Sequence, residues 1–528
     1  MKNIFNSVKF PSVDSNRFDL SHDLKLSFSM GELIPTCVLD CLPGDKVNIS
    51  VENMLRFAPL ISPVMHKVDV TTHYFFVPNR LLWAEWEKWI TGDSDVEAPF
   101  VTVGPGSDVG TVIEGSIADY IGIPTGEYLE DVKVSPMAFA AYLKVFDEYY
   151  RDQNLQSEVF VPLVPGANDD YLTSFTDSPL HRAWQHDYFT AALPFAQKGD
   201  SVQLPLTTAN DVPVEFKDRG AENLNAGGAI DASTGLPVGA IGTQSDYFAN
   251  GPSPLGSSWN IDGVGPIAYD PRGTLVVDVQ SDATDINTLR RAFKLQEWLE
   301  KNARGGTRYV ENILAHFGIK SSDARLQRPE YIGGSKQNMV ISEVLATAEN
   351  TEAGVAVGQM AGHGISVGGG NRFNYRCEEH GYIIGFINVQ PVTAYQDGLH
   401  RSFSRFSRLD YAWPTFANIG EQEVLQKEVK ARVAVNTDPD RVFGYVPRYS
   451  EYKFMNSRVS GEMRSSLNFW HLGRIFANDP ALNEVFISAF PSTRIFAVTD
   501  ENTDHIYAHI FNNISAVRKL PKYGIPQI

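Results

Sequence analysis

The chain has 528 residues, 43% hydrophobic, 11% aromatic and 20% charged, which is enough apolar material for a large core and too little charge for a disordered protein. Its 45 Lys+Arg against 63 Asp+Glu give a formal charge of -18, so nucleic acid is repelled at long range and any polyanion must be met locally or through a separate cationic partner. The acidity lies upstream: residues 371–528 hold 18 Lys+Arg and 16 Asp+Glu, leaving 27 and 47 for residues 1–370.

The N-terminal stretch MKNIFNSVKFPSVDSNRFDL lacks the continuous apolar run of a secretory signal, and no run approaches the roughly 18 apolar residues of a membrane span. Residence in a cytosol is the expectation. Three segments then read as strands, LKLSFSM (24–30), KVNISVEN (46–53) and VDVTTHYFFV (68–77), because β-branched and aromatic residues recur with period two. Cys37 and Cys41, with the distant Cys377, are too few for a disulfide framework and fit no Cys-x-x-Cys metal pattern, so three reduced, mostly buried thiols are expected.

Helices follow. NRLLWAEWEKWITG sets Trp83, Trp86 and Trp89 within two turns before Gly92. Ser135-Pro136 caps and opens MAFAAYLKVFDEYY, where Phe139, Leu143, Phe146 and Tyr150 form an apolar stripe. INTLRRAFKLQEWLEKNARGG places Ile286, Leu289, Phe293 and Leu299 on one side and stops at Gly305-Gly306. All three read as packing surfaces, with the tryptophan stretch expected to stay bare on an isolated subunit and to be covered on assembly.

Between these helices, residues 220–271 contain no Lys or Arg, and Gly, Asn, Ser and Pro recur every few positions. Such composition resists a core and marks an exposed inserted loop. It still carries Tyr247, Phe248 and Trp259, the candidate host-contact residues of an outer protrusion.

Further on, GVAVGQMAGHGISVGGGNR reads as a glycine loop. Its Gly-Ile-Ser366-Val-Gly matches a nucleophile elbow, but an elbow needs a strand before it and a helix after it, and here more glycines follow. With no Gly-Lys dipeptide a P-loop is excluded, and no His-Glu-x-x-His or metal-ligand histidine spacing occurs. No catalytic residue, cofactor or metal is therefore assigned.

HGYIIGFINVQ (380–390), VKARVAVN (429–436), RIFAVT (494–499) and HIYAHIFNNISAV (505–517) complete the strand pattern. Between them, LHRSFSRFSRLDYAWP packs three arginines into eight residues of an acidic protein. Wound as a helix over residues 399–410, Arg401, Arg405 and Arg408 share one face, and Leu399, Phe403 and Phe406 the opposite one. The rings would then pin the segment while the guanidinium groups face DNA phosphates or the acids of a neighbouring subunit. The alternative is an extended loop that offers both arginines and rings, since Ser402, Ser404 and Ser407 are indifferent helix formers. The terminal RKLPKYG, with Lys519 and Lys522, repeats this texture.

Strands drawn from both chain ends, with long insertions between them, are a jelly-roll habit. The fold class expected is mainly β, an antiparallel sandwich spanning residues 1–528 with long inserted loops and a few helices.

Several longer segments are more specific still. FPSVDSNRFDLSHDLKLSFSMGELIP, HKVDVTTHYFFVPNRLLWAEWEKWITG, HDYFTAALPFAQKGDSVQLPL, RPEYIGGSKQN, LDYAWPTFANIGEQEV and FGYVPRYSEYKFMNSRVSGEMRS resemble the major capsid protein of microviruses, most closely the gokushovirus branch. The resemblance runs from the N-terminus to about residue 464 and skips mainly residues 220–271. It implies a single eight-stranded jelly roll that assembles, through pentamers, into a T=1 icosahedral shell around circular single-stranded DNA inside a bacterium. It also implies a three-fold protrusion built from one variable insertion, a host cell-surface receptor, and a small basic virion protein that enters with the genome. A carbohydrate-binding or glycan-cleaving β-sandwich is the alternative, weakened by the lack of an export signal.

Overall fold

The computed structural model describes residues 14–106, 111–168, 171, 178–200, 202, 211–213, 230–231, 258–261, 264–268, 276–278, 286–345, 360–435, 437–498, 500 and 503–523. They divide into two compact units, residues 199–298 and the remainder.

The larger unit is built on two antiparallel sheets. The first contains β1 (Asn16–Asp19), β2 (His22–Phe28), β4 (Lys46–Phe57), β7 (Val340–Leu345), β8 (Met360–Arg376) and β12 (Ile506–Arg518). Its order is β1-β12-β4-β8-β7, with β2 also on β12. The second contains β3 (Ile34–Cys41), β5 (Val68–Pro78), β6 (Glu330–Asn338) and β9 (Gly381–Pro391), in the order β6-β5-β9-β3. Chain order steps from sheet to sheet at most connections, so β2-β12-β4-β8 and β3-β9-β5-β6 follow the strand order of a jelly roll.

Alternation places the core. Along β4 every second residue from Val47 to Phe57 is buried, and β12 does the same from Ile506 to Ala516. These rows meet Phe76, Ile383 and Ile387 of the second sheet in one hydrophobic cluster. Strand β9 is buried on both faces, because Ile384 and Phe386 point the other way into a second cluster around α1 (Met137–Val145). A single π-helical turn, Phe146–Tyr150, prolongs α1. The helix opens at the expected point, but the cap expected from Ser135 is not made, because Pro136 itself occupies the N-cap and no side chain caps it.

The tryptophan stretch is corrected. Trp83 is 1% exposed, and its ring lies 6.4 Å from that of Trp86 and 5.6 Å from that of Trp89. Trp83 belongs to the core of the subunit itself, and the half-buried Trp86 and Trp89 pack against it from helix Trp86–Thr91, which Gly92 ends in a left-handed conformation. The tryptophans are not the bare surface expected here, because the stretch folds back onto the outer face of the second sheet and buries Trp83 fully and Trp86 and Trp89 in part, leaving Ile90 exposed.

Two expected strands are also absent. Residues 426–429 form a helical turn followed by coil. Phe496 makes only an isolated bridge to Leu60, with Ile495 and Phe496 sunk in the core. Their composition reports burial, not extension. Conversely, the described part of the glycine run read as a loop, residues 360–372, lies within the 17-residue β8. Glycine is needed there for approach: a Cβ on Gly364 would sit 2.5 Å from the Phe57 ring, and Gly370 adopts φ +90° where β8 bulges against β4. The cysteines are free and buried, and burial pushes the Cys37 thiol up to about 12.

Helix α2 (Ile286–Gly305) stops at the glycines expected to end it, and a further helix that the sequence pattern did not single out, α3 (Tyr309–Phe317), follows it. The stripe expected to pack on α2 leaves Ile286 and Phe293 exposed. In the smaller unit, Asp211–Pro213 pairs with Val276–Asp278, drawing together the ends of the intervening segment. Inside it, Ile230–Asp231, Val264–Ala268 and Ser258–Ile261 form a three-stranded sheet. The strands there are two to five residues long, as so glycine-rich a sequence permits.

Candidate functional site

The connection from β9 to β12, residues 392–505, leaves and rejoins the sandwich at one end, since Pro391 pairs with Val68 and Ile506 with Phe57. It has its own small core, in which Tyr395, Val424, Val429, Phe443 and Phe486 pack with Tyr188 and Phe189. The hairpin of β10 (Glu421–Leu425) and β11 (Val442–Pro447) is its frame. Asp187 ties this core to the chain by accepting hydrogen bonds from Thr393 and Tyr395, both at 2.6 Å.

On this frame sits the basic-aromatic segment, and it is not the expected helix. Two short 3-10 turns, Arg401–Ser404 and Arg408–Asp410, are separated by extended backbone. Local polar side chains capture the amides that a helix needs. The Ser402 N–H donates to His400 Nδ1 at 3.2 Å, and the Phe406 and Ser407 N–H groups donate to Asp410 at 2.7 and 2.6 Å.

The expected polarity of the segment is reversed as well. Phe403 and Phe406 are 65% and 89% exposed, whereas Arg401 and Arg405 turn inward. Arg401 donates to Glu428 Oε1 at 3.1 Å and to the Glu423 carbonyl. Arg405 meets Glu451 at 3.5 Å and stacks over the Tyr452 ring at 4.2 Å. Glu428 also accepts from the Leu425 N–H at 3.0 Å and the Tyr188 hydroxyl at 2.9 Å, and Gln422 donates to Glu451 at 2.6 Å. Burial raises the Glu428 carboxyl above the usual range, against the pull of those donors and of Arg401. Arginine is the residue suited to such buried pairing, because its guanidinium is weakly hydrated and always charged.

The third arginine, Arg408, is exposed and forms no ion pair among the described residues; its carbonyl accepts from the Trp413 indole at 2.8 Å. Phe403, Phe406, Leu409, Tyr411, Trp413 and Met455 make an exposed, largely aromatic surface, held from behind by the two buried ion pairs. Glu428 and Glu451 had no sequence signal as partners, being 27 and 46 residues from the arginines they pair with. Tyr188, which shares Glu428 with Arg401, comes from a still more distant part of the chain.

Lys519 and Lys522 are not part of this surface. They follow β12 at the opposite end of the sandwich, where Val517 pairs with Lys46, and the Lys519 chain lies over the turn at Gly44. Trp259 lies on the short strand Ser258–Ile261, opposite Ile267; Tyr247 and Phe248 fall outside the described residues. Among the described residues, no group of three or more His, Cys, Asp or Glu is arranged to hold a metal.

An antiparallel two-sheet sandwich in this strand order, carrying long excursions and a broad exposed aromatic surface, defines a subunit of the viral-capsid β-sandwich class. Residues 7–528 match the family described as capsid protein (F protein), and the chain belongs to that family. It is 35% identical to capsid protein VP1 of Chlamydia phage 1 across 100% of this chain and 98% of that protein. It is likewise 35% identical to VP1 of Bdellovibrio phage phiMH2K over 98% and 97%, and 29% identical to VP1 of Spiroplasma virus 4 over 99% and 97%. These are gokushovirus proteins, so the resemblance drawn from the sequence holds, and the chain is a structural major capsid protein of a phage virion. The glycan-directed alternative finds no support among them.

Proposed function

We propose that copies of this chain close, through pentamers, into a T=1 shell around a circular single-stranded DNA genome, and that the surface around Phe403, Phe406 and Arg408 is a contact between neighbouring copies. The observation that carries the contact is the inverted segment: large rings face solvent while the charges behind them are neutralised inside the subunit. Aromatic and arginine residues dominate the well-packed centres of protein interfaces, and closure multiplies many weak contacts into a stable particle. The role is structural and not catalytic.

The net charge of -18 supports a separate small basic protein that accompanies the DNA. Residues 220–271, free of cations and enriched in small polar residues, suit an outer protrusion that contacts a host receptor through Tyr247, Phe248 and Trp259. The assembly reading is tested by Phe403→Asp combined with Phe406→Asp, followed by sedimentation velocity and electron microscopy. Soluble subunits or pentamers with an unchanged unfolding midpoint, and no shells, are expected; shells of normal size and yield would remove this surface from the contacts.

A further inference from the structure

The two sheets differ in what covers them. The outer face of the second sheet is packed beneath the α1 cluster, whereas the first sheet presents an outer face on which alternate residues of β4 and β12 stay accessible. Register places side chains on that face in rows. Arg17 pairs with Val517, Val517 with Lys46, and Lys46 with Arg376, so one row across four strands carries three cations. The next row runs Asp19, Ser515, Asn48, Asn374, and the one after it Asn513, Ser50, Arg372.

Within this patch two of the cations donate to neutral groups. Arg17 Nε donates to Ser515 Oγ at 2.6 Å, and Arg372 Nε donates to Asn48 Oδ1 at 2.7 Å. Among the described residues, Arg17, Lys46, Arg372 and Arg376 form no ion pair. The one carboxylate in these rows, Asp19, accepts from the Ser21 hydroxyl and amide at 2.5 and 3.0 Å, which with the smaller pull of the nearby Arg17 charge hold it below the usual carboxylate range.

Lys46 and Arg376 are direct antiparallel partners, and like charges placed opposite one another across strands destabilise a sheet. Their own row holds no carboxylate to offset that repulsion, in a protein whose total charge is negative. Lys519, just past β12 and lying over Gly44, extends the same cationic edge. Farther along β12, the outward positions become aromatic beyond Asn513, with the half-buried Phe511 between Asp23 and Glu52 and the exposed Tyr507 opposite Arg56. Arginine, lysine, serine and asparagine donors beside accessible rings are the set that tracks a phosphodiester backbone while stacking its bases.

We propose that this face, centred on Arg17, Lys46, Arg372 and Arg376, binds the sugar-phosphate backbone of single-stranded DNA, which makes it the genome-facing side of the shell. The inference rests on the reading that the shell encloses such DNA.

The test uses full-length chain with Arg17, Lys46, Arg372 and Arg376 all changed to Gln. Binding of a fluorescent 20-nucleotide oligo(dT) is titrated over a range of salt, alongside nuclease-protected DNA content of purified particles. Each phosphate of a single strand that is no longer neutralised lowers the log–log salt slope by about 0.7, so four of them lower it by about 3, with less DNA per particle. A control set, Lys88, Lys133, Lys301 and Lys320 to Gln, removes the same charge elsewhere and should leave the slope near wild type. The swap Lys46→Arg with Arg376→Lys keeps both charges and should retain binding. An unchanged slope in well-formed quadruple-variant shells overturns the inference, as does loss of shells with oligo(dT) binding intact, which would assign the row to a neighbouring copy. Wild-type particles without DNA would instead overturn the reading on which it rests.

Discussion

Replacing Arg401 with Met separates an internal role from a nucleic-acid role for the most cation-rich part of the sequence. The Glu428 side chain is 2% exposed and Arg401 26%, so the substitution leaves a buried carboxylate with only Leu425 N–H and Tyr188 hydroxyl as donors. Removing one partner of a buried pair costs roughly 3–5 kcal/mol. Water reaches Arg401, which puts the expected loss at the low end, about 3 kcal/mol, or about two orders of magnitude in the folding equilibrium. Changing Glu428 to Gln in the same chain removes the stranded charge and should restore about 2 kcal/mol as a coupling energy. Without Arg401 the already raised Glu428 carboxyl rises further, so the folded form takes up a proton more readily than the unfolded one and the single variant should regain stability as pH falls. Urea midpoints of the four chains of this cycle, at pH 5 and pH 8, give both numbers. Strictly additive costs, or a neutral Arg401→Met with DNA lost from otherwise normal particles, would refute the internal ion-pair assignment.

A second carboxylate sets a pH dependence. Glu32 is pushed up from 4.5 to about 7, chiefly by burial, opposed by the Ser29 N–H and assisted by the nearby Asp504 charge. Its folded value exceeds its unfolded one, so its contribution is full below about 4.5 and is lost as pH rises through about 7, at up to ~1.4 kcal/mol per unit; Glu32→Gln should flatten that part of a stability–pH curve, and a curve unchanged in slope would show that the group titrates normally. Trp83→Ala empties a fully buried site in the cluster beneath helix Trp86–Thr91 and should cost ~3–5 kcal/mol, read from urea unfolding of the subunit; a loss under about 1 kcal/mol would deny the cluster its place in the core. Replacing residues 220–271 with a short Gly-Ser linker should give particles that assemble and package DNA but do not adsorb to cells. Normal adsorption would dismiss the receptor role, and failed assembly would assign the segment to holding the shell together.

Strands buried on one face were legible because their period is printed in the residues. Lys46–Phe57 and Ile506–Arg518 alternate over their length, and they pair with each other although 448 residues lie between Phe57 and Ile506. β8 was not legible: five glycines among its 17 residues erase the side-chain alternation, and their reason is the Phe57 ring and a bulge contributed by other strands. Val429 and Phe496 misled in the opposite sense, since apolar residues mark burial whether or not the backbone is extended.

Composition, charge and strand period therefore determined the class of this protein, a mainly β subunit whose inserted segments differ from its core, because each is a property of residues close together in the chain. The segment at 399–410 shows where that reach ends. Its rings and arginines alternate in the sequence, but which of them faces water depends on Glu428 and Glu451, brought beneath it by the β10–β11 hairpin and its following turn. A buried guanidinium is tolerable only where a carboxylate is already waiting, and the row Arg17, Lys46, Arg376 exists only once strands from three parts of the chain stand side by side. Both surfaces were decided by tertiary pairing, because charge and exposure are settled by neighbours in space.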